Sequence, residues 1–225
     1  MAPSNYYLVL DTPGGSVDAG NSFIDFAKSL GVKIDTVTIF AASMGFHLVQ
    51  NLDKRYVMNS STLMSHRASL RLGGELGGEF DVRLNWIRRT ITKMDLVVSK
   101  RVNMKYHDYT NLIRDELWLD GQDSIKYRMA DNVVNVKCDS SMQGTYSEKA
   151  DVMFFTVDVE WSKCPLITAP LSYSISRTAL GNPANEASVK SMVSKLFYNK
   201  KEFVTEYISN TKGNQTFKEA FKIGQ

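Results

Sequence analysis

Two short apolar strands constrain this fold more than any other feature of the sequence. Each closes in a turn of small residues, and each is followed by a helical pattern. The first run, Tyr6-Tyr7-Leu8-Val9-Leu10, ends in Asp11-Thr12-Pro13-Gly14-Gly15-Ser16, where proline and two glycines force a turn. Residues 19–30 then carry Phe23, Ile24, Phe26, Ala27 and Leu30 at helical spacing, and Gly31 closes the helix. Residues 32–40 form the second strand, which runs through Ala41-Ala42-Ser43-Met44-Gly45 into a second helix to about Leu52. Strand, helix and strand in this order predict a parallel pair joined by a right-handed crossover. In such a sheet the loops at the carboxyl ends of the strands gather ligands, and both small-residue turns lie at such ends.

The chemistry to be expected there follows from the residue types. Ser43 sits at a strand-to-helix turn, with Ala41, Ala42 and Gly45 allowing backbone to pass close. Its hydroxyl then stands at a helix N-terminus, where free N–H groups and the helix dipole favour developing negative charge, as an acyl-transfer nucleophile requires. A plain helix cap is the simpler reading of the same serine. Gly14 and Gly15 let backbone N–H groups face a ligand, which suits an oxyanion hole or a phosphate cradle. His66, in Leu63-Met64-Ser65-His66-Arg67-Ala68, follows the same strand-end logic and is the candidate base. His47 is a rival base, but one turn inside a helix it points along the shaft and is expected to be packed or at the solvent edge. His107 reads as a surface residue. Asp115 and Glu116, just before Trp118, are two carboxylates of which either can orient a histidine or serve as a surface charge.

The remaining sequence fills in the frame. Residues 54–58 and 62–66 read as two short strands, 70–78 as a glycine-rich loop, and 80–106 as a long helix with a broken apolar face that projects from the core. Exposed apolar residues on that helix fit contact with another subunit, and packing within the domain fits them equally. A short helix to Ala130 and a last strand at 131–137 complete the first part. Beyond Cys138 the pattern changes: a polar linker at 139–149, a strand at 151–161, an irregular stretch marked by Pro165, Pro170, Gly181 and Pro183, and a helix at 185–208. No chemistry is visible there, so 1–138 is read as the functional domain and 139–225 as an extension of unassigned role.

Composition excludes several functions. The 225 residues hold 43% hydrophobic and 23% charged side chains, enough for a packed core. A net charge of +3, from 27 basic and 24 acidic residues without a cluster, gives no case for nucleic acid. No apolar run approaches the roughly 18 residues of a membrane span. Two cysteines without CxxC spacing and three histidines make a zinc site or other metal cofactor unexpected. Cys138 and Cys164 are a disulfide if the protein is exported and two free thiols if it is not. Residues 1–5 are polar and lead straight into a strand, so no signal peptide is visible, and the abrupt start reads as that of a fragment.

Taken together, LDTPGGSVDAG, FAASMG, LMSHRA and ELWLDGQDSIKYRMADNVV resemble the ClpP/crotonase superfamily, and its ClpP-type serine peptidases in particular. The similarity covers about residues 6–136. It implies an α/β fold of stacked βαβ units with a projecting helix; the family's first strands and helix have no counterpart before Tyr6, and the region past Cys138, read as a small α+β extension, has none in the family core. It also implies a Ser-His-acid triad. The family's motifs map the nucleophile to Ser43, the histidine to His66 and the acid to Glu116, a glutamate where the family has aspartate, with Asp115 as the neighbouring alternative. The family's oxyanion hole maps to the amides of Met44 and Gly15. No cofactor is implied. A peptide or unfolded protein is the implied substrate, a homo-oligomeric ring the implied assembly, with the 80–106 helix as its contact, and an ATP-driven AAA+ unfoldase a candidate partner, in the bacterial cytoplasm or, if the native N-terminus is missing, the periplasm. Three rivals share the resemblance. Crotonase relatives act on acyl-CoA thioesters, usually without a serine–histidine pair. Signal-peptide-peptidase-like members pair serine with lysine, and no lysine here sits in a matching motif. A non-catalytic assembly subunit is the third.

Overall fold

The computed structural model describes residues 6–69, 78–152 and 155–178. The chain divides into two units at Asn135/Val136. The first is a mixed sheet covered by helices. Strands β1 (Tyr6–Thr12), β2 (Ile34–Ala42) and β3 (Arg55–Ser65) are parallel neighbours in that order. Helix α1 (Val17–Ser29) connects β1 to β2, and α2 (Met44–Asn51) connects β2 to β3, giving the α/β architecture expected. Strand β2 is buried along nearly its whole length, as a central parallel strand must be. The Ser16 hydroxyl caps α1 by accepting from the Ala19 N–H.

The two short strands expected at 54–58 and 62–66 are one strand, β3, with an interruption. Thr38 pairs with Val57 while Phe40 pairs with Thr62, so the intervening residues of β3 step out of the ladder. Ser61 closes this step: its hydroxyl accepts from the Met58 N–H at 2.6 Å and donates to the Thr38 carbonyl at 2.5 Å. Polar Asn59, Ser60 and Ser61 broke the apolar pattern and hid the continuity.

The long helix α3 spans Gly78–Arg101, shorter than the 80–106 expected at its C-terminal end. Asn103, at φ 53°, stops it. The Met104 N–H reaches back to the Ser99 carbonyl and the Asn103 N–H to that of Lys100, the paired bonds of a left-handed C-terminal cap. Helix α4 (Tyr106–Leu112) follows, then β4 (Leu117–Leu119), α5 (Gly121–Lys126) and β5 (Asn132–Val133). Strand β4 pairs antiparallel with the end of β3, and β5 pairs parallel with its start. The strand expected at 131–137 is thus only two residues long. The core joins β1–β3 to the inner ends of α3 and α4 through Leu10, Phe46, Val57, Leu63, Val98, Val102, Tyr109 and Ile113. An ion pair fixes the start of β3: Arg55 holds Asp131 and also donates to Gln50 and to the Arg128 carbonyl.

The second unit, as far as described, is an antiparallel sheet of β6 (Thr145–Val152), β7 (Phe155–Ser162) and β8 (Ser172–Thr178). This corrects two expectations. The polar linker at 139–149 holds a short 3₁₀ turn, Ser140–Met142, and most of β6, while the irregular stretch holds β8. Both strands are rich in serine, threonine and charge, so no apolar alternation announced them. Val157, Val159 and Leu166 are buried in a small core, and a disulfide joins Cys138 to Cys164. A cross-link over 26 residues contributes roughly 3–4 kcal/mol by chain entropy, a large share for so small a sheet. Residues 1–5, all of the loop expected at 70–78 except Gly78, and the helix expected at 185–208 lie outside the described residues.

Candidate active site

Ser43 stands between β2 and α2 with φ 55° and ψ −118°, a conformation few non-glycine residues adopt. Its surroundings enforce this. The Ser43 N–H donates to the Met64 carbonyl at 2.9 Å, and Ala41, Ala42 and Met44 on either side are buried. Its side chain makes no cap bond to α2, so the simpler reading of this serine as a helix cap does not describe it. Its oxygen lies instead 2.8 Å from Nε2 of His66, at the first position past β3. Two residues 23 apart in sequence meet because β2 and β3 are parallel neighbours ending at one edge.

The first loop joins them. Gly14, at φ 96°, is packed so closely on the Ser43 turn that a Cβ there would lie 2.5 Å from the Ala42 oxygen and 2.8 Å from the Met44 nitrogen. Gly45 packs reciprocally on Thr12, where a Cβ would meet the methyl at 2.6 Å. These glycines have no room for a side chain, which explains the small residues at both turns. The Gly14 N–H is taken by the Thr12 hydroxyl at 3.1 Å. Among the described residues, the N–H groups of Gly15 and of Met44, first in α2, have no acceptor. One unused donor, Met44, thus follows Ser43 at the N-terminus of α2, where negative charge is favoured, and the other, Gly15, follows the glycine that packs on the Ser43 turn.

The carboxylates are placed differently. Asp115 is exposed and pairs with Arg114 at 2.9 Å, which holds its carboxyl below the usual range. Glu116, also exposed, accepts from the Trp118 indole N–H at 2.9 Å and has φ 67°. Neither is hydrogen-bonded to His66. The antiparallel pairing of β3 with β4 ends where Ser65 faces Leu117, and His66 and Glu116 are each the next residue beyond that end.

His47, the rival base, is buried beside Phe46, and its Nδ1 has no hydrogen-bond partner. Burial, and secondarily repulsion from His66, lowers its pKa to about 4, so it is neutral at pH 7. His107 is on the surface. Sequence reasoning missed one polar contact beneath the site: Ser65, just before the histidine, shares a 3.0 Å hydrogen bond with the buried Tyr109 hydroxyl. It also passed over Asp95, buried on the inward side of α3. An acid at a stripe position of a helix whose other stripe residues are apolar was the signal available. Among the described residues, no group of three histidine, cysteine or acidic side chains is placed to hold a metal, and no helix is long and apolar enough to cross a membrane.

A comparison with protein-family models matches the Clp protease family over residues 2–137. The chain belongs to the Clp protease family. The match covers the first unit and ends at the junction with the second, so the mixed sheet, the serine turn and the His66 strand end all lie inside it. The family is one of ClpP-like peptidases, and the parallel βαβ core described above is consistent with its fold.

Proposed function

We propose that this protein is a serine endopeptidase in which Ser43 is the nucleophile, His66 its general base, and the Gly15 and Met44 N–H groups the oxyanion hole. The 2.8 Å contact between Ser43 Oγ and His66 Nε2 carries this reading. In the proposed reaction, Nε2 takes the hydroxyl proton as Oγ attacks a peptide carbonyl. The tetrahedral oxyanion accepts from the two unused backbone donors. The imidazolium then protonates the leaving amine, and water, activated by the same imidazole, releases the acyl group. Loss of one oxyanion donor typically costs about 10²–10³ in rate.

With Nε2 as acceptor, the His66 proton sits on Nδ1 and needs an acceptor of its own. We assign that role to Glu116, which like His66 stands one residue past the end of the β3–β4 pairing, after its carboxylate turns from the Trp118 indole. Asp115 is the weaker choice because Arg114 already engages it. The serine–histidine contact disfavours an acyl-CoA enzyme, whose relatives usually lack such a pair.

The ring assembly belongs to the same proposal. Phe80, Val82, Trp86 and Val97 are exposed on α3, as a helix that meets another subunit would have them. Peptide or unfolded protein is the proposed substrate, delivered by an AAA+ unfoldase in the full reading. Of the two compartments left open by the sequence, the Cys138–Cys164 disulfide supports the oxidising one. The test is hydrolysis of a fluorogenic peptide library by the wild type and by Ser43→Ala. The proposal expects a loss of roughly 10⁴-fold or more in kcat/KM. A Ser43→Ala protein with full activity refutes it.

A further inference from the structure

A cavity of about 640 Å³ lies in the first unit, lined from four places: the start of α1, residues 67–69 just past His66, α3, and Tyr106 and Thr110 of α4. Val17 follows the glycine loop, Arg67 follows His66, and Leu84, Ile87, Ile91 and Asp95 come from one face of α3. These four recur at intervals of three and four, the spacing of a helical stripe, and Trp86, Arg88, Thr90 and Thr92 of the same helix line the cavity beside them. The stripe continues inward through Val98 and Val102, both buried in the core. Among Leu84, Ile87, Ile91, Asp95, Val98 and Val102, only Asp95 is polar. It is 8% exposed, and among the described residues no hydrogen bond or ion pair reaches its carboxylate.

The Asp95 oxygens are not sealed off, but a carboxylate on a largely buried residue without a partner still carries a desolvation cost that a leucine or valine in its place would not. The residue has the chemistry to hold a cation that enters from the cavity. The apolar side chains of Leu84, Ile87 and Ile91 suit the methylene stem of the same group. Burial raises the Asp95 carboxyl to about 6 against the opposing pull of Arg67, so it is ionised at pH 7 and above. The Arg67 guanidinium stands more than 4 Å away and donates to the Thr110 carbonyl at 3.4 Å. Other charged residues at the wall are Asp18 and Arg88, both exposed.

We infer that Asp95 is a specificity-determining residue: it selects a substrate lysine or arginine side chain, next to the bond to be cut, that enters this cavity with its stem along α3. The inference rests on the peptidase reading for the word substrate, but its test does not need turnover. Paired peptides differing at one residue, lysine against norleucine, are titrated by fluorescence anisotropy against the Ser43→Ala protein, alone and with Asp95→Asn. Norleucine keeps the stem and lacks the amine. The lysine peptide is expected to bind about 10- to 100-fold more tightly, as one charge-assisted contact in a buried site would give. Asp95→Asn abolishes the difference, while Arg67→Gln, which removes the competing cation, widens it. Equal binding of the two peptides by the Ser43→Ala protein overturns the inference, as does a lysine preference that survives Asp95→Asn. An unfolded Asp95→Asn protein, seen by circular dichroism, leaves the Arg67→Gln arm decisive: no change in the preference there also overturns it. Catalytic failure of the wild type with the lysine preference intact would strike the peptidase reading alone.

Discussion

Ser43 and Glu116, the proposed nucleophile and acid, both hold positive φ, 55° and 67°, yet they are held by different means. Around Ser43 the backbone has no alternative. Its N–H is tied to β3, its neighbours are buried, and Gly14 occupies the space that a different turn would need. Strain of this kind persists where packing over-determines it, and it is the sort found at reactive groups. Around Glu116 the chain is exposed, and its carboxylate rests on an indole N–H two residues away. The comparison separates two ways of building a site: a nucleophile fixed by close packing of three loops, and an acid set on a surface turn where a local partner competes for it.

That difference ranks the expected effects of substitution. Gly14→Ala, one methyl group, should be the most damaging change outside the serine–histidine pair itself. It must move the Ala42 carbonyl and the Ser43 turn at once and adopt φ 96°, so peptide hydrolysis should fall by about 10²-fold or more, as for loss of an oxyanion donor, with a lowered melting temperature. If Gly14→Ala retains wild-type kcat, the turn is not rigid and the contrast fails. Glu116→Gln should lower kcat by about 10- to 100-fold, the worth of one hydrogen bond to a charged group, while Asp115→Asn should stay within about twofold of the wild type. Reversal of that order in steady-state kinetics would move the orienting role to Asp115.

Two titrations sharpen the comparison through stability, with opposite signs. The His47 pKa is lowered from 6.5 to about 4, so the native state binds fewer protons than the unfolded one between those values. Stability is therefore full above pH 6.5 and falls as pH drops toward 4, by about 3 kcal/mol from this residue. Urea unfolding at pH 7 and pH 4.5 should show it, and His47→Leu should flatten the slope. Asp95 behaves in the other direction. Its carboxyl is raised from 3.8 to about 6, so the native state binds more protons and the cost of the charge is fully present only above pH 6. Asp95→Asn should melt higher than the wild type at pH 8, by about a few degrees, with the gap closing between pH 6 and 4. An equal gap at pH 8 and pH 4 would show that the carboxylate is not held against a desolvation cost.

How far the sequence could be read divides along the same line. Close packing leaves a mark on residue identity: Gly14 and Gly45 have no room for a Cβ, and Ala41 and Ala42 beside them are fully buried, so the serine turn and the glycine loop were legible together. The strand end at His66 was legible for the same reason, through the apolar run ahead of it. Elements held by polar or local contacts were not. The step in β3 depends on the Ser61 hydroxyl, the end of α3 on Asn103, and β6 on main-chain pairing between polar residues. None of these alters hydrophobic periodicity, which is the signal a single sequence offers. The acid corner is intermediate: Glu116 and Asp115 were visible as candidates, but which partner each one takes is decided by side-chain geometry on an exposed turn.

The central claim is that the packed turn makes one hydroxyl reactive. Treatment of the wild type with a fluorophosphonate probe, followed by mass-spectrometric mapping of the adduct, tests it most directly. The account predicts a single modification on Ser43, lost in His66→Ala while the fold is retained. Modification of another residue in place of Ser43, or undiminished labelling of Ser43 after loss of the His66 ring, would contradict it.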